Sequence, residues 1–222
     1  MGWARREDKT LRAMRAGYPR FFIPLLVQQL SEDLNDRFGP PGSQSIILSS
    51  QGAALRCRSF MLSNVTHGDA TAQIGCYSLY LDQTSDPGCL SPWAPIHIVW
   101  FSEEYLPHAK AFWQHTGEGI SSRQAEYCWK FAKGFRVVVE DRILPLSRPT
   151  ASLKPHNGEV FDDKRFIRNR IASCADPSGK VDLESDVFLY PTGMKAIFDV
   201  TRAILRYLHH VTPGPVTVVT YG

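Results

Sequence analysis

Residues 21–38, FFIPLLVQQLSEDLNDRF, set Leu25, Leu26, Leu30, Leu34 and Phe38 at helical spacing with polar side chains between them. That period predicts an amphipathic helix, stopped by Gly39-Pro40-Pro41-Gly42, which no helix crosses. From Ser45 to Ser102 the period shortens. SIILSS, ALRCRSFML, AQIGCYSLYL and PIHIVWFS are rich in Ile, Val, Leu, Tyr and Trp, and are parted by Gln51-Gly52, His67-Gly68-Asp69 and the loop from Pro87 to Pro95. They predict four short strands of a mainly antiparallel sheet. Ser102-Glu103-Glu104 then reads as a helix start, Ser102 being the N-cap and the acids filling the first turn, for a helix across Tyr105 to Phe112.

Residues 112–133, FWQHTGEGISSRQAEYCWKFAK, place two glycines and several polar residues directly before another helix. Ser121 or Ser122 caps it, and Ala125, Cys128, Trp129 and Ala132 fall on one face. A short apolar run, FRVVV, leads into LPLSRPTASLKPHNG, a Pro/Ser-containing linker. DDKRFIRNRIASC is a basic helix, broken at Asp176 to Gly179. Next comes VFLYPTGMKAIFDV, in which an apolar run meets a Pro-Thr-Gly turn and restarts as a helix over Met194 to His210. Its apolar face is Ala196, Ile197, Val200, Ile204, Leu205 and Leu208. After Pro213-Gly214-Pro215 the run VTVVTY predicts a second strand, and strand, helix, strand in about 35 residues predicts a right-handed βαβ unit. The fold class is therefore α/β. An N-terminal α+β region spans 1–115, a helical connector 116–184, and the start of a parallel-sheet domain 185–222.

Composition narrows the chemistry. Twenty-five basic and 22 acidic residues give a net charge of +3, too small a field for wrapping nucleic acid. Basic residues do crowd the first twenty positions, but Glu7 and Asp8 interrupt them. No stretch reaches the roughly 18–20 apolar residues of a membrane span, so neither nucleic acid nor membrane is an expected partner. The five cysteines, Cys57, Cys76, Cys89, Cys128 and Cys174, are odd in number and form no C-x-x-C pair, and the seven histidines show no metal spacing. No metal site is expected, and a reducing, cytoplasmic setting fits. A transfer enzyme built on His115 with Ser121 or Ser122 lacks a Gly-x-Ser-x-Gly elbow and a third group to orient the ring.

Three segments, FWQHTGEGISSRQAE, IRNRIA and DVFLYPTGMKAIF, together resemble the fungal cystathionine γ-synthases. These belong to the Cys/Met-metabolism group of pyridoxal-phosphate enzymes with the aminotransferase-like fold (fold type I). The resemblance covers roughly residues 18–222 and implies an N-terminal portion of such an enzyme. Complete relatives replace the γ-substituent of an O-acylhomoserine by the thiol of cysteine, in trans-sulfuration and methionine biosynthesis, with the cofactor as electron sink.

By resemblance, Thr192, Gly193 and Met194 hold the cofactor phosphate. The glycine lets the backbone come close, the threonine hydroxyl can donate to an oxygen, and the helix N-terminus favours an anion. Where the wider family presents a Tyr-x-Arg motif from a neighbouring subunit, this sequence has Trp113 and His115, and Glu118-Gly119-Ile120 stands for the usual Asn-Pro-Thr. Gln114, His115, Ser122 and Arg123 are the candidates for phosphate or partner contact there. The lysine that bonds the cofactor aldehyde lies, in the family, far downstream of the turn in a Ser-x-Thr-Lys-like context. After Met194 this sequence offers only Lys195, beside the phosphate. The expectation is a fragment inactive alone, with small-molecule amino-acid substrates belonging to its complete relatives. The alternative is a non-catalytic module that docks on full-length relatives, and a homo-oligomer is expected in either case.

Overall fold

The computed structural model describes residues 8–13, 22–64, 73–82, 96–132, 136–140, 159–212 and 214–218 of the 222. The proline-containing linker, the Pro87–Pro95 loop and residues 219–222 lie outside them. The elements are α1 (Asp8–Ala13), α2 (Leu25–Phe38), β1 (Ser43–Leu48), α3 (Gln51–Ser63), β2 (Ile74–Asp82) and β3 (Ile96–Ser102). After a 3₁₀ turn at Glu103–Tyr105 come α4 (Leu106–Thr116), α5 (Ser122–Ala132), β4 (Arg136–Glu140), α6 (Glu159–Ala175) and α7 (Gly193–Val211). Two compact units form, one from residues 1–114 with 118–153, the other from 115–117 with 154–222.

The first unit is mixed α/β, built on a four-stranded sheet of order β1-β3-β2-β4. All three pairings are antiparallel, as the alternation predicted. Both faces of the sheet are covered. Ile46, Leu48, Ile74, Val99 and Phe101 point to one face and pack with Ala53, Cys57 and Met61 of α3 and Ala109 and Phe112 of α4. On the opposite face Ile47, Leu79, Ile98 and Trp100 pack with Val27, Leu30 and Leu34 of α2 and Ala125 and Cys128 of α5. Strand β3 sits between β1 and β2 and is buried on both faces, which is why IHIVWF is apolar at every position but His97.

Two local readings change. ALRCRSFML is a helix, α3, not a strand. Ser50 accepts a hydrogen bond from the Ala53 N–H at 3.1 Å, and Gln51-Gly52 forms the first turn rather than a loop. Ala53, Ala54, Cys57 and Met61 recur at helical spacing, and no β-branched residue lies between Ala53 and Ser63, so propensity and period both favour a helix. The fourth strand comes instead from the FRVVV run, as β4. Ser102 makes no side-chain cap, and the helix it precedes opens with the 3₁₀ turn and continues to Thr116. Ser121, not Ser122, caps α5, accepting from the Gln124 N–H at 3.1 Å.

One polar pair is sealed in this sheet. Ser78 and His97 are register partners on β2 and β3, and the Ser78 hydroxyl lies 2.8 Å from His97 Nδ1, with both residues buried. Burial pushes the His97 imidazole down to about 4. As pH falls through about 6.5 the unfolded chain takes a proton that the folded chain refuses, so stability should drop by about 1.4 kcal/mol per pH unit until about pH 4, where the folded state also protonates. Urea midpoints between pH 7 and pH 4.5 measure this. A His97→Gln variant should flatten that part of the profile, and an unchanged slope would contradict the burial of a neutral ring.

In the second unit, α6 ends where the sequence predicted. Asp176 accepts from the Ser178 N–H at 2.9 Å and the Lys180 N–H at 3.0 Å, and Gly179 adopts φ +75°. The predicted βαβ unit is not formed among the described residues. Val187–Tyr190 and Val216–Val218 pair in no ladder, because a lone parallel pair has neither edge partners nor a second covering layer. The face of α7 predicted to be buried is correspondingly open. No α7 residue is buried, and Ile197, Val200 and Ile204 are more than half or half exposed. Among the described residues, no helix is long and apolar enough to cross a membrane.

Candidate functional site

The Thr192-Gly193-Met194 bend opens α7. Thr192 is extended (φ −145°, ψ 153°), and its side-chain oxygen accepts from the Lys195 N–H at 3.1 Å while its carbonyl accepts from the Ala196 N–H at 3.1 Å. Of the first-turn donors, those of Gly193 and Met194 have no hydrogen-bond partner among the described residues. Gly193 has an ordinary backbone conformation, and a Cβ built on it would meet nothing within 4 Å. Neither strain nor crowding inside the chain calls for glycine here. What glycine does supply is an approach to two unpaired amides at the positive end of a 19-residue helix.

The underside of the same bend is occupied by Gly117. Gly117 adopts φ +65°, and a Cβ there would lie 2.7 Å from Thr192 Oγ1, 2.8 Å from the Lys195 nitrogen and 3.0 Å from Met194 Cβ. The Thr192 hydroxyl donates to the Gly117 carbonyl at 3.4 Å. That side-chain oxygen thus accepts from Lys195 and donates to Gly117, and it fixes the bend. Gly117 was not singled out from the sequence. Its signal was a glycine just past a helix end, where the left-handed region favours it.

Glu118 is wholly buried and paired with Arg56. Arg56 Nε donates to Glu118 Oε2 at 3.0 Å, and a second guanidinium nitrogen donates to Oε1. The Glu118 carbonyl accepts from the Ser49 N–H at 2.8 Å, and Gly119 bridges to Leu48. A Cβ on Gly119 would collide with the Trp113 indole. Gly117, Glu118 and Gly119 thus each have an internal reason.

The remaining candidates are distributed as follows. Gln114 is half-buried on α4 and Ser122 half-buried at the start of α5, Arg123 is exposed on α5, and all three belong to the first unit. His115 is exposed at the end of α4 and belongs, with Thr192, Gly193 and Met194, to the second. Lys195 pairs with Asp199 one turn along α7, at 2.5 Å, and lies 5.8 Å from the Phe198 ring centre. No group of three His, Cys, Asp or Glu side chains is arranged to hold a metal among the described residues. Burial pushes the thiols of Cys57, Cys76 and Cys128 up, keeping them protonated and unreactive.

Comparison with known proteins adds a family. The fungal trans-sulfuration enzyme N-terminal domain matches residues 26–121. The cystathionine gamma-synthase-like protein ankD of Aspergillus thermomutatus is 31% identical over 209 residues, covering 90% of this chain and 36% of that protein. The alanine racemase ungC of Aspergillus violaceofuscus is 26% identical, covering 90% and 39%. The cystathionine gamma-synthase of Neurospora crassa is 32% identical over 137 residues, covering 58% and 22%. The chain thus spans two fifths or less of the length of these relatives. No solved structure matches it.

Proposed function

The chain belongs to the fungal trans-sulfuration enzymes, and from that premise we propose that its Thr192-Gly193-Met194 bend is the phosphate grip of a pyridoxal 5′-phosphate site. The observation that carries this reading is the open glycine at the head of α7, with the Gly193 and Met194 amides unpaired beside it. Those two N–H groups donate to phosphate oxygens, Thr192 holds the first turn in place, and the helix N-terminus adds about 0.3–2 kcal/mol for the anion. When bound, the cofactor supplies an electron sink for carbanions at Cα and Cβ of an amino-acid substrate.

On this reading residues 185–222 open an aminotransferase-like domain of fold type I. In the assembled homo-oligomer Gln114, His115, Ser122 and Arg123 contact the cofactor phosphate or the neighbouring subunit. The complete enzyme works in the cytoplasm and exchanges the γ-substituent of an O-acylhomoserine for a cysteine thiol. The 222 residues alone do not turn over: they contain no Ser-x-Thr-Lys segment, and the ammonium nearest the bend, Lys195, is held by Asp199. A relative named as a racemase aligns with nine-tenths of this chain at 26% identity, which supports assigning to this stretch the holding of a site rather than the choice of bond broken.

Borohydride reduction of the chain mixed with pyridoxal phosphate, followed by peptide mass mapping, tests the division of labour. Only scattered, substoichiometric labelling of surface lysines is expected. A stoichiometric adduct confined to one lysine would show that the bonding amine is present and would overturn the reading.

A further inference from the structure

A cleft opens in the first unit at the end of the sheet where α2 stops. Helix α2 ends at Phe38, and Pro40-Pro41-Gly42-Ser43 turns the chain into β1, the Ser43 N–H donating to the Pro40 carbonyl at 3.1 Å and Gly42 adopting φ +74°. Past that turn the sheet carries small residues. Ser43 and Ser102 are register partners on β1 and β3, and Gly75 of β2 stands opposite Trp100. By strand alternation all four lie on the face that bears Ile47 and Ile98. The cleft they leave has a volume of about 160 Å³, the size of a cavity that takes one benzene ring.

One wall is aromatic. The Tyr77 and Trp100 rings lean on each other with centroids 4.7 Å apart and planes at 55°, and the Trp100 indole N–H donates to Asn35 Oδ1 at 2.7 Å. Gly75 makes room for Tyr77, since a Cβ there would run into its ring. The polar groups are uncharged: no Asp, Glu, His, Lys or Arg lines the cleft. The Ser43 hydroxyl oxygen is buried and has no hydrogen-bond partner among the described residues, whereas buried polar groups are ordinarily paired. Gln73 Oε1 accepts from the Tyr105 hydroxyl at 3.0 Å, and its amide retains a second lone pair and two N–H donors to offer.

We propose that this cleft binds a neutral six-membered nitrogen heterocycle with a lactam edge, a molecule of pyridone or pyrimidinone size. The ring fills the volume against Tyr77 and Trp100. Its C=O and N–H pair with the Gln73 amide, which presents a donor and an acceptor side by side, the pattern that also reads an adenine edge. Rotated about its Cα–Cβ bond, the Ser43 hydroxyl gains the partner it lacks. A purely apolar ring would leave these groups unmatched, and a charged one would give up water without gaining a counter-charge. Every lining residue belongs to the first unit and falls within the stretch matched by the N-terminal domain, so this inference does not rest on the cofactor reading.

Titration of the ¹⁵N-labelled full chain with 2-pyridone tests it. The expected result is saturable movement of the Gly75 and Ser102 amides and of the Trp100 indole N–H, with a Kd of about 1 mM or tighter, within reach of a ligand this small. N-Methyl-2-pyridone, which has lost the N–H, should bind about tenfold more weakly, and Gln73→Leu should remove that difference. Gln73 is exposed, so the variant keeps its fold. Ser43→Ala should weaken binding severalfold while leaving the free chain as stable as before, because the hydroxyl it removes has no partner to lose. Ser102→Leu fills the cleft and should abolish binding with the circular dichroism spectrum unchanged. No movement up to about 20 mM, equal affinity for the N-methyl compound, or binding indifferent to Ser102→Leu would overturn the proposal. A proline-rich peptide that moves the same amides at micromolar concentration would also overturn it, by making the cleft a peptide groove.

Discussion

Replacing Arg56 by alanine will destabilise the first unit by about 3–5 kcal/mol, because it takes the guanidinium away from a wholly buried carboxylate. Glu118 is 0% exposed, while the Arg56 side chain is 31% exposed, so the two single substitutions are not equivalent. Removing the arginine leaves the sealed acid in place. Removing the acid, as in Glu118→Leu, strands a guanidinium that can turn toward water, and should cost about 1–3 kcal/mol. Exchanging both, Arg56→Met with Glu118→Leu, should recover most of the loss, since apolar side chains of similar volume replace buried pairs at little cost. Urea titrations of the three variants measure this, and the Arg56→Ala midpoint should correspond to a melting temperature lower by about 6–20 °C. An Arg56→Ala protein within about 1 kcal/mol of the parent would mean the pair carries no such weight.

The second large effect is expected at Gly117. An alanine there must hold φ near +65°, which disfavours any residue with a Cβ by about 1–2 kcal/mol. Its methyl would also crowd Thr192 Oγ1, the Lys195 nitrogen and Met194 Cβ, one of which is backbone and cannot swing aside. A loss of about 2–4 kcal/mol in all is expected, with the bend freed from its support. Gly193→Ala makes the opposite case. Nothing in the chain opposes that methyl, so stability should hold or rise slightly, alanine being the better helix former by about 1 kcal/mol. Any anion held on the open side of the bend would be pushed away. Thermal melts and phosphate-dependent binding of pyridoxal phosphate, measured on both variants, separate a glycine kept for folding from one kept for a ligand. Equal destabilisation by the two would contradict that separation.

Much of the first unit was legible because its signals are local. The helix ending before Gly39, the buried centre strand IHIVWF and the face of α5 all follow from period and flanking residues. ALRCRSFML resembles a strand in apolar content, and only its lack of β-branched residues and the Ala53-Cys57-Met61 spacing mark it as a helix. The Arg56–Glu118 pair spans 62 residues and depends on how α3 and the HTGEG segment meet, which no local pattern encodes. In the second unit the helix was readable from the Pro-Thr-Gly turn and the apolar period, while the capping by Thr192 emerges from the structure. Among the described residues the strands are not realised, because an apolar run such as VFLY becomes a strand only where neighbours accept its backbone groups. The site was legible only in part: the sequence pointed to the bend, but not to the glycine beneath it.

Backbone amide resonances of the ¹⁵N-labelled chain, followed during titration with pyridoxal phosphate and with pyridoxal, test the phosphate grip most directly. The amides of Gly193 and Met194 are predicted to shift with the phosphorylated compound and with inorganic phosphate, and to stay in place with pyridoxal. If those two amides remain still in all three titrations, or respond to pyridoxal as strongly as to its phosphate, the bend does not bind the anion and the account of α7 as half of a cofactor site is wrong.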